Sequence, residues 1–600
     1  MNNRILAACI IGIAIILLLT GGIIYLLWER NAPEREIRAG GTLQETILPE
    51  QEITVDEELV SEEPPADEAE AETETETETE TEAKAEPEDD GQRAEELRMR
   101  RAAEAERRRA EQEQLARASR ELREQMEAVN ELIAQGVAML ERGYLSGAGR
   151  VFAEARSIMP RGENRFEAQK LADMAEAWYD VFARSPNSPE GREAARIAEV
   201  LAGESIVLDR TQARPHFTIG KIGRDLRDWD KASASFAEAA RLDPSNFLYP
   251  FELGRSHFNA RRLAEAQRAF ENTVNLNSGF DQGWHNLGAA LAAQNRHDQA
   301  LTAFRRAVSI RSDYWQAHRD IGRILISRRD YRSATESFTN AIRNNPNDLS
   351  LLRELGMAQS QSGSLVAAEA SFARILEAQP DDAQINYNMA VVQLGLGKNN
   401  EALLFARRAL NSNPSNAVYA YTVGLAHEAL RDVDSAIGAY RNAASLDPRY
   451  VRPRINLGRI FLEQNNFDDA LKYLYDEAFR IEPANFEVNN NLGAVFAKME
   501  NWGFSVEHYE RAIRVENNHP TVHLNLARAY SGAGDLARAR NSYLNVLRLV
   551  PDNWDAMFEL AKTYIGLELP GDAGEYLSEL VRRNPAFHGR AEAERLLAGL

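Results

Sequence analysis

Cysteine is almost absent from this chain. The one such residue, Cys9, lies inside an apolar run near the amino terminus, which excludes disulfide frameworks, cysteine-ligated zinc and redox pairs. A basic excess is missing as well: 70 Lys and Arg stand against 92 Asp and Glu, and nothing in that balance marks a nucleic-acid surface. The net charge of −22 does not describe the whole chain, because Glu45 to Asp90 alone carries 21 acidic residues and a single basic one, Lys84. The remainder is close to neutral, so an inference from acidity to basic partners applies to that tail alone. Complete catalytic motifs are lacking too. His427-Glu428 opens like the zinc-protease HExxH, but Arg431 stands where the second histidine is required. His318-Arg319-Asp320 begins like a kinase catalytic loop, yet Leu325 replaces the metal-holding asparagine. The sequence therefore predicts no enzyme, no cofactor and no metal site.

What is present divides by composition. Residues 1–30 contain the uncharged run Ile5 to Trp28, whose 24 residues suffice to cross a hydrocarbon core of about 30 Å, and are read as a transmembrane anchor rather than a cleaved signal. Residues 31–91 are an acidic Glu/Thr-rich linker, including a Glu-Thr alternation from Glu72 to Glu82, with too little apolar surface to offset its ordering entropy. Residues 92–128 alternate Arg with Glu and carry i,i+4 pairs such as Glu96 with Arg100, which reads as a charged helix. Its Leu115, Leu122 and Val129 fall at heptad spacing, so coiled-coil self-association through residues 115–133 is expected. Arginines flank the apolar run on both sides; the cysteine-free body and the N-terminal anchor favour an inner-membrane protein whose body lies outside the cytoplasm.

From Ala213 onward the chain repeats itself. Small residues recur every 34 positions at Gly220, Gly254, Gly288, Gly322, Gly356, Ala390, Gly424 and Gly458; after a slip of one the period resumes at Gly493, Ala527 and Ala561. Twelve positions behind runs a second lattice, from Ala232 to Ala573, and four further on a mostly aromatic one, from Phe236 to Tyr543. Proline closes many units, as at Pro244, Pro346 and Pro448. The reading is of two antiparallel helices approaching where Gly or Ala faces Gly or Ala, an aromatic plugging the gap to the next pair, and Pro ending the second helix. The extra residue between Ala470 and Pro483 would rotate later side chains by about 100° unless a bulge absorbs it.

The unit Trp284…Leu287-Gly288…Leu291…Ala300…Phe304…Ala307 resembles the tetratricopeptide repeat. That resemblance implies an all-α, right-handed superhelical solenoid of helix hairpins whose concave face, lined by first helices, binds proteins or extended peptides. Eleven repeats are expected over residues 213–586 and a capping helix over 587–600. Degenerate repeat-like helices are expected over 129–212, with Gly136, Ala148, Phe152 and Pro160 repeating the offsets of a unit and Ser188-Pro189 opening a long helix.

Two positions before the recurring small residue stand Asn286, Asn388, Asn456, Asn491 and Asn525. A primary amide bonds a peptide backbone regardless of its side chains, so these residues are the candidate groove, in a manner similar to the asparagine ladder of O-GlcNAc transferase repeats. Arg452, Arg459 and Arg528 are expected on or beside the same surface, favouring a ligand with acidic character. The function expected is a membrane-tethered scaffold for protein partners, the alternative being an accessory or assembly factor for a membrane-bound synthase or secretion machine.

Overall fold

The computed structural model describes residues 90–600, and all regular structure among them is helical. The expected anchor and acidic linker lie outside the described residues; among the described ones no helix is long and apolar enough to cross a membrane. Contacts divide the described chain into two compact units, one ending at Ile324 and the other beginning at Leu325.

In the N-terminal unit, α1 (Asp90–Glu141) runs unbroken for 52 residues from the charged segment into the first hairpin, formed with α2 (Leu145–Ser157). Val129 and Ile133 are buried in the core of this unit beside Phe152 and Trp178. The seam expected to pair between copies is therefore used within the chain from Val129 onward, and Leu115 is left 66 % exposed. The next pair, α3 (Asn164–Arg184) and α4 (Pro189–Leu208), is longer than a repeat, and α4 opens as its sequence demands, with the Ser188 hydroxyl accepting from Gly191 N at 2.8 Å ahead of Pro189. Hairpins α5 (Ala213–Asp225)/α6 (Trp229–Leu242), α7 (Leu248–Asn259)/α8 (Leu263–Leu276) and α9 (Asp281–Ala293)/α10 (His297–Ile310) come next in the chain, and the boundary between units falls inside α11 (Trp315–Ser327).

The C-terminal unit continues with α12 (Tyr331–Asn344), then α13 (Leu349–Gln361)/α14 (Leu365–Ala378), α15 (Ala383–Gly395)/α16 (Asn399–Ser412) and α17 (Ala417–Ala429)/α18 (Val433–Leu446). Next come α19 (Val451–Glu463) with α20, which is α-helical over Phe467–Leu471, π-helical over Lys472–Ala478 and α-helical again over Phe479–Ile481. Pairs α21 (Phe486–Lys498)/α22 (Trp502–Val515), α23 (Pro520–Gly532)/α24 (Leu536–Leu549) and α25 (Trp554–Gly566)/α26 (Pro570–Arg583) lead to α27 (Arg590–Ala598), which buries Ala593 against the final pair.

The glycine lattice works differently from the small-on-small contact read in the sequence. Six of these glycines lie under the aromatic sixteen residues later, in their own hairpin, and Gly458 lies under Leu474: a Cβ on Gly220 would meet the Phe236 ring at 2.5 Å, one on Gly254 the Phe270 ring at 2.6 Å, and one on Gly424 the Tyr440 ring at 2.4 Å. The ring thus closes its own pair instead of plugging the gap to the next. Gly136 meets Phe152 in the same way, at 2.3 Å, so the α1/α2 hairpin shares the packing of the regular repeats.

Seven residues after each small residue the chain turns with positive φ. Gly363, Gly397 and Gly534 occupy this position in three repeats, but Arg227, Arg261, Asn295, Arg431, Asn465, Glu500 and Glu568 hold φ values between 55° and 63° in others. Those side chains accept a left-handed conformation costing roughly 1 kcal/mol, because the sharp turn lets the second helix fold back at once. Side-chain caps such as Asp228 on Lys231 N and Asp432 on Ser435 N then start that helix.

The π-turn is where the extra residue resides. Leu474 still covers Gly458, and Ala478 is fully buried like its counterparts Ala443 and Ala512. Three residues, Tyr475 to Glu477, lie between them where other repeats have two, and one wide turn absorbs the surplus while the later side chains keep their orientation.

Candidate functional site

The asparagine lattice is one row on the first helices, and the structure fills that row with different chemistry in the two units. In the N-terminal unit the row is enclosed. Glu252 is 3 % exposed and accepts from Arg255 at 2.7 Å and Arg224 at 3.1 Å. Burial alone would raise its pKa, but Arg255 and Arg224 outweigh that and hold the carboxyl below its ordinary range. Asp320 is 1 % exposed, bonded by Arg319 and His285 at 3.0 Å each, and its pKa is lowered in the same way against burial. Asn286 lies between them in the lattice and is 3 % exposed, so its amide is enclosed rather than offered to a ligand.

In the C-terminal unit the row is more open, with the exception of Thr422, which is 2 % exposed. Asn388 is half-buried and accepts from Gln384 at 3.2 Å. Asn456 gives a hydrogen bond to the Tyr421 hydroxyl at 3.3 Å, within a group of rings in which Tyr421 lies 5.4 Å from both Tyr440 and Tyr450. Burial pushes the Tyr421 hydroxyl up to about 12, so it stays a neutral partner. Arg459 is held by Glu428 and by Glu463, and Glu428 also accepts from the Tyr440 hydroxyl at 2.7 Å. Arg452 stands 3.9 Å from Glu487. These residues are largely occupied with one another.

The next two repeats differ. Asn491 on α21 and Asn525 on α23 are half-buried, Arg528 one turn beyond Asn525 is exposed, and the two helices touch. Among the described residues none pairs with any of these three side chains. They offer two amides and one guanidinium in successive repeats, a set that can bond a backbone and a carboxylate. Among the described residues there is no cluster of His, Cys, Asp and Glu suited to hold a metal.

Reading asparagines alone missed two features of the row. Carboxylates share the same 34-residue offset, and one residue past the small position stands a cation in many repeats: Lys221, Arg255, Arg459, Arg528 and Lys562. That second lattice was visible in the sequence. Whether each cation is spent on a neighbouring carboxylate, as Arg255 and Arg459 are, or left open, as Arg528 is, depends on residues from adjacent repeats.

Comparison with known proteins bears on the fold. A curated relative, the type IV pilus assembly protein PilF of Pseudomonas aeruginosa, is 29 % identical over 105 residues, covering 17 % of this chain and 42 % of PilF. The solved P. aeruginosa PilF structure is 23 % identical over 36 % of this chain and 96 % of that one, with a TM-score of 0.32. Yeast Tom70 is 17 % identical over 71 % of this chain and 95 % of its own, also at 0.32. YrrB, described as a TPR protein with an unusual peptide-binding site, is 19 % identical over 31 % of this chain and 96 % of its own, at 0.30. The family model of the tetratricopeptide repeat matches in overlapping segments over residues 217–314, 319–520 and 524–586, which is more than half of the chain. Helix hairpins at a 34-residue period, many of them closed by a ring on their own glycine, and this match over the same residues place the chain in the tetratricopeptide repeat family.

Proposed function

We propose that this chain is a non-enzymatic, membrane-tethered scaffold that binds protein partners as extended segments on the first helices of its C-terminal repeats. The observation that carries this reading is the unpartnered set Asn491, Asn525 and Arg528, against Asn456, which is bonded to Tyr421, and Arg459, which is bonded to Glu428. The two amides suit a backbone, and Arg528 suits an acidic side chain or terminal carboxylate. A neutral amide bond is worth about 0.5–1.5 kcal/mol and one to a charged group about 1.5–3, so replacing all three by alanine should weaken a partner at least about tenfold. The measurement is recovery of cross-linked partners on the triple variant, followed by titration with the recovered partner. The melting temperature should hold, because Leu492-Gly493 and Leu526-Ala527, which pack the helices, are untouched. Normal binding by the triple variant sinks the assignment. Asn456→Ala, which loses the Tyr421 bond, should instead affect stability more than binding.

A second reading, an accessory or assembly factor for one membrane-bound machine, draws on the 105-residue likeness to a pilus assembly protein. One stoichiometric partner in the cross-linked fraction favours it, and several clients favour the scaffold.

The tether is proposed to place the repeats outside the cytoplasm, on the strength of the Ile5 to Trp28 run and the cysteine-free remainder. Protease added to intact spheroplasts should then cut within residues 31–91. A chain that survives until lysis puts the repeats on the cytoplasmic side.

A further inference from the structure

The Tyr421 hydroxyl, which Asn456 engages, belongs to a group of donors that lack an acceptor. Because the Asn456 amide donates to its oxygen at 3.3 Å, the Tyr421 proton must point elsewhere, and among the described residues it meets no acceptor. Tyr450, its ring 5.4 Å from that of Tyr421, is 4 % exposed, and among the described residues its hydroxyl has no partner either. Burial raises both hydroxyls well above the ordinary tyrosine value, and the nearby charge of Arg452 opposes it only in part, so both keep their protons. Arg452 stands one turn before Asn456 on α19, on the same face. Its ion-pair neighbour Glu487 is 3.9 Å away, too far for a hydrogen bond, although only 21 % of the Arg452 side chain is exposed. Two phenolic protons and a guanidinium thus lie together at the seam of α17 and α19, all of them donors. Such a set fits a carboxylate, which only accepts.

The set lies on the first-helix row that continues to Asn491 and Arg528. Glu487 is one turn before Asn491 on α21, α19 touches α21, and α21 touches α23, which carries Arg528. Arg452, Tyr421 and Arg528 occupy offsets of six before, three before and one after the lattice residue, which are i, i+3 and i+7 of one helical face. Two steps of about 8–10 Å between first helices, with about 10 Å along the axis, separate Arg452 from Arg528 by roughly 19–23 Å. We propose that Tyr421, Tyr450 and Arg452 form a second carboxylate subsite, and that the partner segment carries two acidic side chains about six or seven residues apart, the extended span from Arg452 to Arg528. This second subsite presupposes that the first-helix row binds a partner, and it adds the charge spacing of that partner.

The test titrates the purified full-length chain in detergent with Ala/Ser peptides, labelled with fluorescein at the N-terminus and amidated at the C-terminus, bearing two glutamates about three, six or ten residues apart; fluorescence anisotropy reads binding. The spacing of about six should bind about tenfold tighter than the other two, the worth of one hydrogen-bonded charge. Arg452→Gln should remove that advantage. Tyr450→Phe deletes a hydroxyl that bonds nothing among the described residues, so it should weaken this peptide severalfold and leave the melting temperature unchanged. Glu487→Gln should tighten binding, since it removes the anion that competes for Arg452. A peptide that replaces the second glutamate by a free C-terminal carboxylate should bind more weakly; tighter binding by it makes the subsite one for a chain end and overturns the proposal. Equal affinity for the three spacings, or binding indifferent to both Arg452→Gln and Tyr450→Phe, also overturns it. If such indifferent binding still falls when Asn491, Asn525 and Arg528 are all replaced by alanine, the scaffold reading stands without the second subsite; if it does not fall, both fail. Absence of binding by every peptide overturns the second subsite too, and recovery of cross-linked partners then decides the scaffold reading by itself.

Discussion

Replacing Gly424 by alanine is expected to destabilise the C-terminal unit, although alanine is the better helix former. The new methyl would fall 2.4 Å from Cε1 and 2.5 Å from Cδ1 of Tyr440. That ring is fully buried, and its hydroxyl is tied to Glu428 at 2.7 Å, so it cannot slide aside without breaking a bond. Overpacking of this kind costs about 1–3 kcal/mol, and the helix-propensity gain of about 1 kcal/mol offsets only part of it. Gly438 lies in α18 of the same repeat with nothing within 4 Å of its added Cβ, so Gly438→Ala should have the opposite sign and stabilise by up to about 1 kcal/mol. Tyr440→Ala opens a cavity in place of a large buried ring and should cost about 3–5 kcal/mol. The double variant Gly424→Ala/Tyr440→Ala should cost less than the sum of the two, because the methyl then occupies vacated space. Repeat arrays unfold by neighbour-coupled units, so the readout is amide exchange over α17–α20 beside denaturant melts. Equal signs for Gly424→Ala and Gly438→Ala would show that the ring does not bear on that position.

This contrast marks how far the sequence could be read. The 34-residue period, the hairpins, the long helix opening at Ser188-Pro189 and the terminal cap all come from local rules: spacing, capping residues and chain-breaking proline. The contacts of each lattice position do not. Gly and the aromatic are sixteen residues apart in sequence, and only the sharp positive-φ turn between them brings the ring onto its own glycine. Arginine at several of those turn positions, as at Arg227 and Arg431, hid the turn from a reading that looks for glycine or asparagine. The surplus residue in α20 was evident from the period, but its address within Tyr475 to Glu477 required knowing that Leu474 and Ala478 keep their places. The candidate site was legible as a row and not as a chemistry. Five asparagines share one offset, yet neighbours from adjacent repeats decide that Asn286 is enclosed, Asn456 is spent on Tyr421, and Asn491 and Asn525 are open.

The N-terminal unit should be most sensitive at the carboxylate that occupies this row in place of an amide. Glu252→Ala leaves Arg224 and Arg255, each about 10 % exposed at the side chain, without the anion that two of their hydrogen bonds meet. Removing one partner from a buried ion pair costs about 3–5 kcal/mol, and because Arg224 keeps Asp225 at 2.8 Å the loss here should fall toward the lower end of that range. Glu252→Gln keeps the shape and an acceptor oxygen, so it should cost less and, above all, change the response to acid. The folded-state pKa of Glu252 is depressed by Arg255 and Arg224 in spite of its burial, so its stabilisation is fully present above the unfolded value of about 4.3 and is lost as pH falls through the lower folded value. Asp320, depressed in the same sense in the same unit, adds to that loss. Urea melts of the native chain and of Glu252→Gln should therefore stand well apart at pH 7 and converge as the pH is lowered past the ordinary carboxylate range, with amide exchange over α5–α8 reporting the same change locally. A gap of constant size across that range would mean that the Glu252 charge contributes nothing beyond its shape, and that the arginines around it are held by the rest of the unit.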